Sequence, residues 1–114
     1  MPKLTDPEIA ERLKTVPMWT RDGDKIHREF TCPTFPDAVA FVVRVGFDAE
    51  AADHHPDIAV HYKRVTLTYW THSEGGLTAK DCAGAAAADK VAPAKSLVVR
   101  PPSLCVQNVS VTRL

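Results

Sequence analysis

The sequence predicts an α+β fold: a four-stranded antiparallel sheet with helices packed on one face, in the order α-β-β-α-β-β-α, plus a C-terminal extension. Three observations predict it. Two pairs of β-prone segments, each joined by a short polar turn, read as hairpins. A long segment with helical apolar spacing separates them. Capping patterns open a helix before the first hairpin and another after the second.

Thr5-Asp6-Pro7-Glu8 has the capping-box form, with Thr as N-cap and Glu three residues on. Ile9, Ala10 and Leu13 then share a face, so a first helix runs to about Lys14. Val16-Pro17-Met18-Trp19 ends it and leads into a strand, and Arg21-Asp22-Gly23-Asp24 turns back with Asp-Gly as the hairpin signal. From Lys25 to Cys32, Ile26, Arg28 and Phe30 alternate with His27, Glu29 and Thr31, which makes a second strand stopped by Pro33. Thr34-Phe35-Pro36-Asp37 repeats the capping logic with proline just inside the helix. Phe35, Ala38, Val39, Val42, Val43, Gly46 and Ala49 give a long helix over about Phe35 to Asp53. It is apolar on more than one side, so it is expected to lie between the sheet and something else.

Pro56 cannot continue that helix, and the residue before a proline avoids helical angles. Ile58, Val60 and Tyr62 alternate with Ala59 and His61 as a third strand, and Lys63-Arg64 forms the tight connection. Val65, Leu67 and Tyr69 alternate with Thr66, Thr68 and Trp70 as a fourth, ending at Thr71-His72. After the Ser73-Glu74-Gly75-Gly76 loop, Thr78-Ala79-Lys80-Asp81 starts a third helix through the alanines to about Ala92, closed by Pro93. Residues 1–92 are read as one domain. Residues 93–114, punctuated by Pro93, Pro101 and Pro102, are read as an extension.

Bulk properties exclude several function classes. The 114 residues suit one domain, and Lys+Arg and Asp+Glu both count 14. A sequence-independent nucleic-acid binder needs a basic surplus, so no direct nucleic-acid binding is expected. No window reaches the roughly 18 apolar residues of a membrane span, and the polar start, Met1 to Asp6, lacks the apolar core of a signal peptide. A soluble, cytoplasmic protein is expected. Cys32, Cys82 and Cys105 are odd in number and widely spaced, which fits reduced, buried thiols rather than a disulfide framework or a thiolate zinc site.

Titratable side chains concentrate in Glu50-Ala51-Ala52-Asp53-His54-His55-Pro56-Asp57, at a helix-to-strand corner. If the third and fourth strands pair about Lys63-Arg64, position 55 faces position 72, and His54, His55 and His72 meet at one end of the sheet. Each alone reads as a surface or capping residue; three converging imidazoles read as a place where protons are moved. Zinc held by the three with Glu50 or Asp81 is disfavoured, because adjacent histidines diverge and no H-x-x-x-H pair exists. Glu50 and His54 are four apart and would share a helical face. Asp81 has a local structural role available as the capping-box acid after Thr78. His27 and His61 are not bound into the cluster by the pattern.

Glu50-x-x-x-His54-His55-Pro56, then Tyr62, Thr71-His72, Gly75-Gly76-Leu77-Thr78 and Asp81 resembles the signature of the pterin-4a-carbinolamine dehydratases. The similarity runs from about Leu4 to Val91. Two features depart from that pattern: the tail after about Ala92, and Lys63 where relatives often carry asparagine after the tyrosine.

The resemblance implies a four-stranded antiparallel sheet with helices on one side. It implies a 4a-hydroxytetrahydrobiopterin dehydratase working in tetrahydrobiopterin recycling, with a pterin substrate, no metal and no cofactor. Dimers or dimers of dimers, and a functional link to an aromatic amino acid hydroxylase, are implied as well. By the same resemblance, His54, His55 and His72 line the pocket. His55 or His54 would be the acid for the departing hydroxyl, and His72 would hold the pterin or act as the opposing base. Glu50 would tune His54. Asp81 would orient His72, cap its helix, or both. Main-chain groups of the strand around Asp57 to Ala59, Ile58 among them, would bind the pterin amide edge, and Trp19 would pack near the pocket or in the core. The alternative is a non-catalytic oligomeric binding module of coactivator or assembly-factor type on the same fold.

Overall fold

The structure is a computed structural model and describes residues 2–93. The expected extension over residues 93–114, apart from Pro93, and Cys105 lie outside the described residues. The elements are α1 (Asp6–Leu13), β1 (Thr20–Asp22), β2 (Lys25–Thr31), α2 (Phe35–Ala52), β3 (Asp57–His61), β4 (Arg64–Tyr69), a 3₁₀ turn (His72–Glu74) and α3 (Ala79–Val91). The order and types match the α+β reading. All strands pair antiparallel in the order β1-β2-β4-β3, so each hairpin contributes one inner strand.

The three threonine caps form as their sequence patterns predict. Thr5 and Thr78 make full capping boxes with Glu8 and Asp81, and Thr34 accepts from the Asp37 amide. Each satisfies an amide that the first helical turn would otherwise leave without a partner. Alternation then decides the layers. Ile26, Phe30, Val65, Leu67 and Tyr69 point to one face of the sheet and are buried. Ala38, Phe41, Val45 and Ala49 of α2 cover that face, together with Ala85 and Ala88 of α3. Trp19 packs edge-on to Phe30 and tilted against Tyr69. Its indole N–H donates to Asp89 at 2.9 Å, and Arg28 pairs with the same carboxylate at 2.8 Å, tying the first hairpin to α3. Trp19 is thus a core residue. Cys32 and Cys82 are buried free thiols, and burial, the larger cause in each case, raises their pKa. Among the described residues no helix is long and apolar enough to cross a membrane.

One local expectation is corrected. The tight turn between β3 and β4 is Tyr62-Lys63, one residue earlier than predicted. Tyr62 takes φ 55°, a left-handed conformation that its bulky side chain gives no reason to expect. The register therefore pairs Asp57 with Thr68, which sets position 55 nearer 70 than 72. On the second apolar side of α2, Tyr62 stacks on Phe35 with ring centroids 6.4 Å apart. Phe35, Val39, Val43 and Phe47 are exposed at four-residue spacing.

Candidate active site

The corner after α2 is built by a Schellman-type ending. Asp53 adopts φ 53° and ψ 42°, its amide donates to the Glu50 carbonyl, and the His54 amide donates back to Ala49. The helix is over before His54. The side chains of Glu50 and His54 therefore do not share a helical face, and the expected pairing changes. Glu50 meets His55 Nε2 at 2.9 Å, on the surface. His54 Nε2 instead meets Asp81 Oδ1 at 2.6 Å.

Asp81 is the most constrained carboxylate of the site. It is fully buried, and its Oδ2 accepts from the Thr78 amide at 2.8 Å and from the Thr71 hydroxyl at 2.8 Å. The Thr71 and Thr78 hydroxyls lie 2.9 Å apart. Asp81 thus caps α3, as its sequence position allows, but the residues it fixes are His54 and Thr71 rather than His72. A buried carboxylate is tolerated when its lone pairs are filled by donors, and here the Thr78 amide and the Thr71 hydroxyl donate to it while His54 Nε2 lies within hydrogen-bond distance.

His72 begins the 3₁₀ turn beside Thr71, where Thr71 and Gly76 close an isolated bridge. It is exposed and meets the Trp70 ring edge-on at 4.8 Å, and Lys25 Nζ lies 4.8 Å from the same indole. The chain of contacts His54–Asp81–Thr71 therefore joins the helix corner to the residue next to His72. Asp57 and Ile58 open β3, an edge strand that pairs only with β4 among the described residues. His61 is exposed, and His27 lies half-buried on the sheet face away from the helices. Among the described residues no group of three His, Cys, Asp or Glu side chains is arranged to hold a metal.

A cavity of about 120 Å³ opens between the end of α2 and the start of α3. Of the three histidines, His54 lines it and His55 and His72 do not. Its other walls include Asp48, Tyr69, Lys80 and Gly84. The Tyr69 ring lies stacked near His54, with centroids 6.0 Å apart and planes 20° apart. Burial pushes the Tyr69 phenol up to about 12, and the negative charges of Asp48 and Asp81 act in the same direction. The phenol is a hydrogen-bond donor, not a base, across the physiological range. The sequence pattern placed Tyr69 only in the fourth strand, alternating with Thr68 and Trp70. The available signal was Gly84, a lone glycine in an alanine-rich helix. A Cβ at that position would come within 2.5 Å of the Tyr69 ring.

Residues 2–91 match the family described as pterin 4 alpha carbinolamine dehydratase. A protein of Roseiflexus sp. (strain RS-1) assigned by name to the pterin-4-alpha-carbinolamine dehydratases is 54% identical over 79 residues, 69% of this chain and 85% of that protein. One of Chloroflexus aurantiacus (strain ATCC 29366 / DSM 635 / J-10-fl) with the same assignment is 52% identical over 91 residues, 80% of this chain and 98% of that protein. Among solved structures, a transcriptional coactivator/pterin dehydratase from Brucella melitensis superposes with a TM-score of 0.76 at 34% identity, over 79% of this chain and 98% of that one. A pterin dehydratase-like protein identified as a RuBisCO assembly factor in the alpha-carboxysome shares the fold at a TM-score of 0.56 and 20% identity, over 65% and 86%.

Proposed function

The chain belongs to the pterin 4 alpha carbinolamine dehydratase family, and from that premise we propose that it is a hydro-lyase acting on 4a-hydroxytetrahydrobiopterin. It eliminates water to give quinonoid dihydropterin, by histidine general acid–base catalysis, in the recycling of tetrahydrobiopterin. One observation carries the site assignment. His54 is clamped by a buried carboxylate, and the same carboxylate is bonded to the residue preceding His72. His55 follows in the chain with its own carboxylate, Glu50.

The chemistry asks for what such a corner offers. Hydroxide leaves C4a poorly unless an acid protonates it, and N5 must lose a proton to a base. Imidazoles serve both roles near neutral pH and contribute about 10²–10⁴-fold. His54, His55 and His72 are the proposed catalytic residues. The edge of β3 at Asp57 and Ile58, open among the described residues, offers backbone donors and acceptors for the pterin amide edge. Stopped-flow measurement with freshly prepared 4a-hydroxytetrahydrobiopterin tests the proposal. Wild type accelerates dehydration over buffer, and His55→Ala and His72→Ala each slow it at least tenfold. No acceleration rejects the enzyme reading, and unchanged rates in both variants reject the site.

The exposed stripe Phe35, Val39, Val43, Phe47 supports a homodimer or homotetramer. A cytoplasmic setting with a supply of pterin from an aromatic amino acid hydroxylase fits the reaction. The same apolar stripe favours a second reading, a non-catalytic oligomeric binding module of coactivator or assembly-factor type. An oligomer without dehydratase activity would select it.

A further inference from the structure

We propose that Thr71 is a positioning residue of the dehydration: through Asp81 it keeps the His54 proton on Nε2, so that Nδ1 is the base that takes the proton from N5 of the pterin. The base assignment rests on the dehydratase reading; the orientation of His54 does not.

The direction of each hydrogen bond follows from counting donors. An ionised carboxylate only accepts. The Thr78 amide and the Thr71 hydroxyl both donate to Oδ2. Oδ1 faces His54 Nε2 at 2.6 Å, so Nε2 carries the hydrogen. Thr71 has one hydroxyl proton and spends it on Asp81. The 2.9 Å contact between the two threonines therefore runs from the Thr78 hydroxyl to the Thr71 oxygen. Thr78 Oγ1 still accepts the Lys80 amide at 3.3 Å. Every proton in the chain Thr78, Thr71, Asp81 points toward the carboxylate, and His54 closes it from the other side.

A neutral imidazole has one N–H. With it on Nε2, the free lone pair is on Nδ1. The Schellman corner holds the His54 backbone, and the stacked Tyr69 ring restrains the imidazole plane. In the reaction the N5–H bond breaks and its proton goes to Nδ1. The electron pair forms the N5=C4a double bond, the C4a–O bond breaks, and the oxygen leaves as water with a proton from a second imidazole. The imidazolium formed at His54 lies against the buried Asp81 carboxylate, which stabilises it as in other carboxylate-oriented histidines. The acid is then His55 or His72, both exposed.

Long-range ¹H–¹⁵N NMR of the histidine-labelled full-length protein reads the tautomer without substrate. The expected wild-type spectrum has a pyrrole-like Nε2 and a pyridine-like Nδ1 for His54. Asp81→Asn must turn its carbonyl to the two donors at Thr71 and Thr78 and its NH₂ to His54. The proton then moves to Nδ1, and kcat falls about 10²–10⁴-fold. Thr71→Val lowers kcat about tenfold with KM little changed and broadens the His54 nitrogen signals, and Thr71→Ser restores both. A wild-type His54 protonated on Nδ1 overturns the proposal. So does a Thr71→Val protein equal to wild type in spectrum and kcat, or a Thr71→Ser protein as slow as Thr71→Val. Wild-type protein with the expected spectrum but no dehydration activity rejects the dehydratase reading and the base role, and leaves the orientation by Thr71 standing.

Discussion

Asp53 ends α2 in a left-handed conformation, and the pairing of carboxylates with imidazoles follows from that turn. Spacing alone put Glu50 on His54, because four residues make one helical turn. With the helix finished one residue before Asp53, Glu50 reaches His55 and leaves His54 to Asp81. Nothing in an Asp-His-His-Pro string reveals which residue will take positive φ, so this part of the site was not legible. That the helix corner and the end of the fourth strand approach each other was legible, because one hairpin joins them. Tyr69 carries the pH prediction at this scale. Its pKa is raised from 10.0 to about 12, so the folded state holds the phenolic proton more tightly than the unfolded chain. The associated stability is fully present below pH 10 and is lost as pH rises toward 12, about 2–3 kcal/mol in all. The chain has two tyrosines, so Tyr62→Phe leaves Tyr69 as the sole reporter. Its tyrosinate absorbance should rise with a midpoint near 12 while far-UV circular dichroism still reports a folded protein. A midpoint near 10 in folded protein would contradict the buried, doubly flanked phenol.

The caps made the helices readable as elements. Thr5, Thr34 and Thr78 each announce a start, and each forms its cap. The β3–β4 turn was misplaced by one residue because its first position is a tyrosine at φ 55°, where glycine or asparagine would have marked it. The helix glycines give a paired prediction. Gly46 in α2 has open space where a Cβ would sit, whereas one at Gly84 in α3 would come within 2.5–3.0 Å of three Tyr69 ring atoms. Gly46→Ala should therefore stabilise by about 0.5–1 kcal/mol through helix propensity. Gly84→Ala should destabilise by about 1–2 kcal/mol, since overpacking against a core ring outweighs the same propensity gain. Denaturant melts of the two variants, with opposite shifts in midpoint, check both at once.

Over the whole molecule, the layer arrangement follows from alternation in four strands and one long apolar helix, and it was legible for that reason. What covers the outer side of α2 was not, because an exposed apolar stripe and a buried one look the same in the sequence. Val43 is half exposed and Phe47 74% exposed, enough to make the stripe a contact surface rather than scattered apolar residues. Val43→Glu with Phe47→Glu should shift the protein to lower mass in sedimentation velocity while leaving its circular dichroism unchanged. An unchanged mass distribution would remove α2 from the assembly. Catalysis at this site requires the α2–β3 corner and the end of β4 to form one reaction site. A crystal structure with a bound dihydropterin tests this most directly. The expected complex has the ring's N5 within about 3 Å of His54 Nδ1, with His55 and His72 flanking it and the amide edge on the β3 backbone near Ile58. A dihydropterin seated elsewhere, out of reach of all three imidazoles, would contradict it.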